Sequence, residues 1–401
     1  MGATRRANAL ILGTAEWDAP IATNQHYVTR ELARIAFVYF VETLGLRRPQ
    51  LTRADMTRMA ARIGKSVGAH GARALQQRRV QRQKPDGVCV VSPLVLPVHR
   101  AATRLVNRAM LRRATARWIS SDRPRVLWTF TPVTYGLEAY ADVAVYHCVD
   151  LLAQFPGVDA KAIAVGERNL SRGGGCLAIA TSDAVRDHLV AAGFSQVILL
   201  PNVADVSLFG ATSRPAGDRR PAALFCGNLS PHKVDDALLE SIAAALRGRG
   251  ELLLAGPIAA GGGDFAPALR RLERLGAVYL GVLSPLDLAA VAGRCTVGLI
   301  PYALNEYTRG VSPLKCFEYL AAGLGVVSTR LPEVQRLART NPHVLVLEKG
   351  EIPDQVLTMV GAVDDATIDS RVRSALGNGW EERGQVLREL LDTQLTIRLQ
   401  R

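Results

Sequence analysis

The chain has 401 residues, with 48% apolar and 21% charged side chains and a net charge of +13. That composition excludes a disordered chain and a disulfide-stapled mini-protein, and its length suggests two or three domains. No uninterrupted apolar run reaches the ~18 residues of a membrane-spanning helix.

The first apolar run, residues 9–12, follows Arg5 and Arg6 and precedes Glu16 and Asp18. It is too short and too acidic for a signal peptide and reads as a buried strand, implying a protein made and kept in the cytoplasm. Further strands are expected at 37–40, 88–91, 126–129, 144–148, 177–180 and 197–200. Residues 1–125 hold 23 basic against 7 acidic residues, while the remainder holds 26 against 29. The excess concentrates in 73–84 and 99–117, where Arg100, Arg104, Arg108 and Arg112 recur every four residues beside Ala102, Leu105, Val106, Ala109 and Met110. The spacing predicts a helix with one basic and one apolar stripe. Its basic stripe suits a solvated face or an anionic membrane surface or acidic substrate. Nucleic acid is disfavoured, because no aromatic side chains interleave with the arginines.

After Pro201-Asn202-Val203 a second series of strands is expected at 222–226, 252–255, 278–280, 297–300, 325–328 and 343–347. Helical patterns lie at 234–247, 265–275, 285–292, 315–322 and 380–391. Strand–helix alternation means parallel sheets covered by helices, and ligands bind beyond the carboxyl ends of such strands. The expected fold class is therefore α/β, with two doubly wound parallel-sheet domains facing across a cleft. The glycine-rich stretches at 173–175 and 259–264 lack phosphate-loop spacing and read as loops. Cys89, Cys148, Cys176, Cys226, Cys295 and Cys316 show no metal-ligand spacing; buried free thiols are expected, with no disulfide and no metal.

The most informative stretch is Ser312-Pro313-Leu314-Lys315-Cys316-Phe317-Glu318-Tyr319-Leu320-Ala321-Ala322-Gly323. Ser312 is placed to cap a helix that Pro313 opens, and Lys315 and Glu318 share one face. A lysine at a helix start suits a phosphate, and a carboxylate one turn on accepts from a ribose diol. A surface ion pair is the alternative for the two.

This segment resembles the donor-site motif of GT-B glycosyltransferases of the family 4-like group (group 1). Pro201-Asn202-Val203-Ala204-Asp205, Phe225-Cys226-Gly227-Asn228-Leu229, Ala255-Gly256-Pro257 and Tyr279-Leu280-Gly281 resemble other parts of the same pattern, as do Trp17-Asp18, Asn24-Gln25-His26 and the Tyr146 to Asp150 strand end. The resemblance runs toward enzymes of cell-surface polysaccharide assembly of the teichuronic-acid and xanthan type. It implies an acceptor domain at 1–204, a nucleotide-sugar domain at 205–379 and a final helix, 380–401, crossing back.

The resemblance implies transfer of a sugar from a nucleotide sugar to a saccharide or lipid-linked acceptor at the cytoplasmic membrane face, with no cofactor and no metal. Lys315 neutralises the diphosphate, Glu318 binds ribose, and Ser312, Gly227, Lys233, Tyr302 and Gly281 line the donor site. Candidate bases on the acceptor side are Asp150, Asp18 and His26; Asp150 reads equally as a helix cap or loop carboxylate. His147 reads as a core histidine or a site residue. The pattern's first glutamate falls on Gly310, with Glu306 nearby at different spacing, and its common Lys/Leu-Pro falls on Leu324-Gly325. A non-catalytic scaffold and a nucleotide-sugar epimerase are the competing readings.

Overall fold

A computed structural model describes residues 6–19, 21–43, 82–93, 101–172, 174–258, 263–361 and 363–399. The chain divides into two compact units, residues 1–200 with 384–401, and residues 201–383.

Unit 1 carries a seven-stranded sheet: β1 (Ala7–Leu12), β2 (Ala36–Val41), β3 (Val88–Val91), β4 (Arg125–Thr129), β5 (Val143–Cys148), β6 (Cys176–Ala180) and β7 (Val197–Leu199). Its order is β3-β2-β1-β4-β5-β6-β7, with every pairing parallel. β1 and β6 are almost wholly buried, as continuous apolar runs require in a parallel sheet covered on both faces. Leu10, Leu12, Val41, Trp118 and Leu127 form one core cluster, and the Trp118 indole donates to the Asn8 carbonyl at 3.0 Å.

Unit 2 carries six parallel strands: β8 (Ala222–Cys226), β9 (Glu251–Ala255), β10 (Val278–Tyr279), β11 (Val297–Ile300), β12 (Gly325–Ser328) and β13 (Val344–Val346), in the order β10-β9-β8-β11-β12-β13. Both sheets are thus wound outward from a central pair, β1/β4 in one and β8/β11 in the other. The expected class, two doubly wound parallel α/β sheets, is the one observed.

The arginine-rich helix runs from Ala101 to Ala114, but its burial differs from the expectation. Arg100 and residues 73–81 lie outside the described residues. Among the rest, Leu105 is 71% exposed and Val106 46% exposed, while Asn107 and Leu111 are fully buried. Asn107 donates to the Tyr135 hydroxyl at 3.3 Å, and Leu111 enters the Leu10/Leu127 cluster. These two anchors turn the helix so that Leu105 and Val106 face outward with Arg104, Arg108 and Arg112. Five of the six thiols are buried as expected, but Cys89 on β3 is exposed; all six are free. Residues 259–262 lie outside the described residues. No helix among the described residues is long and apolar enough to cross a membrane.

The last helix, Trp380–Leu399, extends beyond the 380–391 pattern. Leu387, Leu391 and Leu395 repeat every four residues on its buried face, whereas Val386 is exposed. Arg388 pairs with the mostly buried Glu31 of unit 1. Leu391→Ala should therefore lower the stability of unit 1 by about 2–4 kcal/mol, the usual cost of a leucine cavity, measured by urea unfolding followed at the buried tryptophans.

Candidate functional site

In a doubly wound sheet the loops after the two central strands diverge to opposite faces and leave a crevice at the carboxyl edge. In unit 2 those strands are β8, ending at Cys226-Gly227, and β11, ending at Pro301-Tyr302. Tyr302 is 1% exposed, and its ring stands edge-on to Phe225 with centroids 6.4 Å apart. Two ammonium groups flank this ring. Lys233 Nζ lies 5.0 Å from its centroid and Lys315 Nζ lies 6.0 Å from it. Lys233 reaches it because Val234 bridges Tyr302 and the Ala303 amide donates to the Lys233 carbonyl at 3.1 Å.

Lys315 opens the helix Lys315–Ala321. A side chain at Gly227 would put its Cβ 2.9 Å from Lys315 Cε, so the absence of one there lets the lysine lie across the end of β8. The next strand end is equally tight: Gly256, at φ 131°, leaves no room for a Cβ beside the Gly227 carbonyl. Gly227 N–H donates to Ala255 and Gly256 N–H donates to Gly281, each at 2.8 Å. The Tyr279 hydroxyl closes the stack on the Gly256 carbonyl at 2.7 Å. Gly227, Gly281, Lys233, Tyr302, Lys315 and Glu318, read separately from the sequence, thus fall on one edge of unit 2.

Burial pushes the Lys315 ammonium down, but its neighbours Tyr302, Cys226 and Glu318 outweigh it and hold the group above its ordinary value. Glu318 moves the other way for an acid. Burial raises its carboxyl to about 7, with Lys315 opposing and Asp205 adding to the rise.

Ser312 is nearly buried but does not cap the helix as the sequence suggested. Its hydroxyl accepts from the Asn202 amide N–H at 3.2 Å, and the Asn202 side chain donates to the Ser312 carbonyl at 2.8 Å. The helix has no side-chain cap, because its first turn starts two residues later, at Leu314. Glu306 forms an exposed ion pair with Arg309 at 2.9 Å, and Gly310 ends their short helix.

In unit 1 the candidate bases lie after β1 and β5. His26 is 1% exposed and sits at the start of the helix Asn24–Leu32. Its Nδ1 accepts from the Thr23 amide and its Nε2 donates to the Glu16 carbonyl, both at 3.1 Å. Burial, with Arg82 second, lowers its pKa, and both nitrogens are engaged. In this geometry His26 braces the loop through both ring nitrogens.

Asp18 is partly exposed and accepts from the Arg82 amide at 3.4 Å. Arg82 also donates to the carbonyls of Trp17 and Ala19, at 3.1 and 3.0 Å. Asp150 is partly exposed; its carbonyl accepts from Leu152 N–H at 2.8 Å and from the Cys148 thiol at 3.4 Å. His147 is buried and stacks on Phe130 with centroids 4.9 Å apart, which places it in the core.

Sequence reasoning missed Glu42, 6% exposed, which follows β2 as Asp150 follows β5. It accepts from Trp17 N–H at 2.9 Å and from the Ser92 hydroxyl at 2.6 Å, pinning the loop after β1. A carboxylate directly after an apolar strand was the available signal. Among the described residues, no group of three or more His, Cys, Asp or Glu is placed to hold a metal ion.

Residues 220–365 match the family described as glycosyl transferases group 1. The putative teichuronic acid biosynthesis glycosyltransferase TuaH of Bacillus subtilis (strain 168) is 30% identical over 174 residues. That match spans 42% of this chain and 42% of the relative's length. Among solved structures, the Anabaena protein HepE in complex with UDP-glucose aligns with a TM-score of 0.65 at 15% identity, over 96% of this chain and 99% of that one. Sucrose-phosphate synthase of Thermosynechococcus elongatus aligns with a TM-score of 0.64 at 16% identity, over 97% of this chain and 100% of that one. The fold is GT-B, and the glycine edge with Lys233, Tyr302, Lys315 and Glu318 falls inside the matched segment.

A carboxyl raised by folding, from 4.5 to about 7, favours the protonated fold. Its stabilising contribution is complete below the lower value and is lost as pH rises through the upper one. Glu318→Gln should therefore be relatively more stable than the wild type above about pH 7, the two curves closing toward pH 4.5. Urea midpoints across that range check this; parallel curves would exclude an anomalous Glu318.

Proposed function

We propose, from a chain that carries a group 1 glycosyl transferase domain on a GT-B fold, that this protein transfers a sugar from a nucleotide sugar to a saccharide or lipid-linked acceptor of the cell envelope. The observation that carries the reading is the pair of ammonium groups about Tyr302 at the carboxyl edge of β8 and β11, with Glu318 beside them. Two fixed cations beside one carboxylate leave an excess of positive charge that suits a diphosphate, while the carboxylate suits a ribose diol.

In this reading Lys315 and Lys233 hold the diphosphate, and the bare backbone at Gly227 lets it approach the strand end. Glu318, once ionised, accepts from the ribose hydroxyls, and Gly281 and Tyr279 border the base. Ser312 retains a hydroxyl proton with which to donate to a phosphate oxygen. The bond from the sugar's anomeric carbon to the diphosphate breaks as the acceptor oxygen bonds to that carbon. The two ammonium groups stabilise the charge that develops on the departing diphosphate. The acceptor proton goes to Asp150 or Asp18 for an inverting reaction, or to the departing phosphate for a retaining one.

Exposed Leu105 and Val106, set among Arg104, Arg108 and Arg112, support a second part of the proposal. Apolar side chains that enter the headgroup layer, ringed by arginines, fit an anionic bilayer surface. This reading puts the enzyme at the inner membrane face, where lipid-linked acceptors are held.

Lys315→Ala should weaken binding of nucleoside diphosphates by about 10- to 100-fold, consistent with loss of a charge-assisted contact, while circular dichroism stays unchanged. Calorimetric titration with UDP, ADP and GDP measures this; unchanged affinity refutes the phosphate role. Stabilisation of the wild type by none of them favours a non-catalytic scaffold. Replacing Arg104, Arg108 and Arg112 with glutamine should reduce sedimentation with phosphatidylglycerol vesicles, most strongly at low salt. Undiminished sedimentation removes the membrane assignment.

A further inference from the structure

The Lys315 helix has only seven residues, and no side chain caps its start. Its direction is therefore set elsewhere. One tie is Tyr319, whose hydroxyl accepts from Cys226 N–H at 3.0 Å. The rest lie at the far end. There Gly323 takes φ 84°, with Leu324 N–H returning to Tyr319 and Gly323 N–H to Leu320, each at 2.9 Å. This is the closing turn that glycine favours. It leaves the carbonyls of Ala322 and Gly323 pointing out of the helix without helical partners.

Two guanidinium groups, that of half-buried Arg219 and that of buried Arg371, take them. Arg219 Nη2 donates to Ala322 at 2.8 Å, and Arg371 Nη1 donates to Gly323 at 3.2 Å. Arg219 also donates to the carbonyls of Cys295 at 2.7 Å and Arg214 at 2.8 Å and to the Ser213 hydroxyl at 2.9 Å. Arg371, 7% exposed, comes from the helix Asp365–Ala375 and also approaches the Thr296 carbonyl at 3.5 Å. The two arginines thus fasten the helix end to the segment before β8, to the segment before β11 and to a neighbouring helix.

Gly323, which closes the donor-motif pattern, and Gly325, in the Leu324-Gly325 pair that departs from it, make room for them. A Cβ at Gly323 would strike Arg219, and one at Gly325 would stand 3.0 Å from Arg371 Nη2. Burial lowers both arginines, and Arg371 lowers Arg219 further, to about 10. Their charge faces the negative end of the helix dipole.

We propose that Arg219 and Arg371 are positioning residues that fix, from the C-terminal end of the helix Lys315–Ala321, the direction in which Lys315 and Glu318 meet the donor. The proposal rests on the donor-site reading of those two residues. The helix is only about 10 Å long, so a small tilt at one end displaces the groups at the other. Misplacement by ~1 Å is enough to cost a charged site much of its affinity.

The test is a double-mutant cycle on UDP, ADP and GDP affinity with Lys315→Met, Arg371→Met and the combination, each checked by thermal unfolding. Arg371→Met alone should weaken the best-bound diphosphate by about 10-fold, but by less than about 2-fold when Lys315 is already absent, since contacting networks are non-additive. Equal losses in both backgrounds overturn the positioning role. Arg371→Lys, which keeps the charge and one donor, should recover a part of the binding; it replaces the methionine variant in the cycle if that variant does not fold. A wild type that binds none of the three overturns the donor-site reading, and this proposal with it.

Discussion

The site in unit 2 depends on one constraint: the sheet reverses its winding between β8 and β11, so two strand ends far apart in sequence must finish side by side. Gly227 and Tyr302 are 75 residues apart, yet each closes a central strand. Once Tyr302 is packed edge-on to Phe225, its ring is the surface on which Lys233 and Lys315 come to rest. An aromatic face attracts a cation by its quadrupole, by about 0.5–2 kcal/mol, and so tempers the repulsion between the two ammonium groups. It does not neutralise them. Glu318 is a neighbouring counter-charge to Lys315, and burial raises its carboxyl against the pull of Lys315. This edge therefore sets two ammonium groups against one carboxylate, and an excess of fixed positive charge is the condition under which an anion binds well.

Much of this was legible in the residues. Short β-branched runs separated by helical patterns specify parallel sheets whatever the tertiary detail, because a strand buried on both faces admits no alternation. Gly227, Lys315 and Glu318 could be read because each answers a local demand: bare backbone at a strand end, a cation and a carboxylate spaced on one helical face. What was illegible depends on partners distant in sequence. Ser312 looked like a cap because of the proline after it, but Asn202, 110 residues away, takes its hydroxyl. The Ala101–Ala114 helix looked amphipathic in one sense and lies in the other, since buried Asn107 has a partner in Tyr135 that periodicity does not reveal. His26 had the right residue type and the right loop; only coordinates show both ring nitrogens committed to backbone.

Unit 1 shows how a fold separates carboxylates by task. Glu42, Asp18 and Asp150 all follow or neighbour strand ends. Glu42 is buried and spends both oxygens on Trp17 and Ser92, so it shapes the loop after β1. Asp18, on that same loop, stays partly exposed, held by Arg82, which also ties the Trp17 and Ala19 carbonyls. Asp150 stays partly exposed after a strand whose end is fixed by side chains beneath it: Tyr146 donates to Glu167 at 3.3 Å, and His188 meets the same carboxylate at 3.0 Å. The Glu167 hydrogen bond raises the His188 pKa despite burial, which strengthens that brace as pH falls. Asp18 and Asp150 thus keep solvent access on a fixed backbone, where Glu42 does not.

The far end of the Lys315 helix shows why a departure from a familiar pattern need not mean loss of function. A proline in place of Gly325 would fix φ and remove an N–H that here donates to the Thr296 carbonyl at 3.1 Å. Keeping glycine preserves that bond and leaves space for the Arg371 guanidinium, which takes a carbonyl the helix itself cannot satisfy. An arginine this buried is normally costly, and the charge of Asp364 offsets only a part of its desolvation. The cost is moderated here because its donors and those of Arg219 meet the carbonyl-rich end of a helix, where the backbone supplies the compensating partial charge. The substitution and the two arginines are therefore one feature, and reading the glycine alone from the sequence, without position 371, makes it look like a defect.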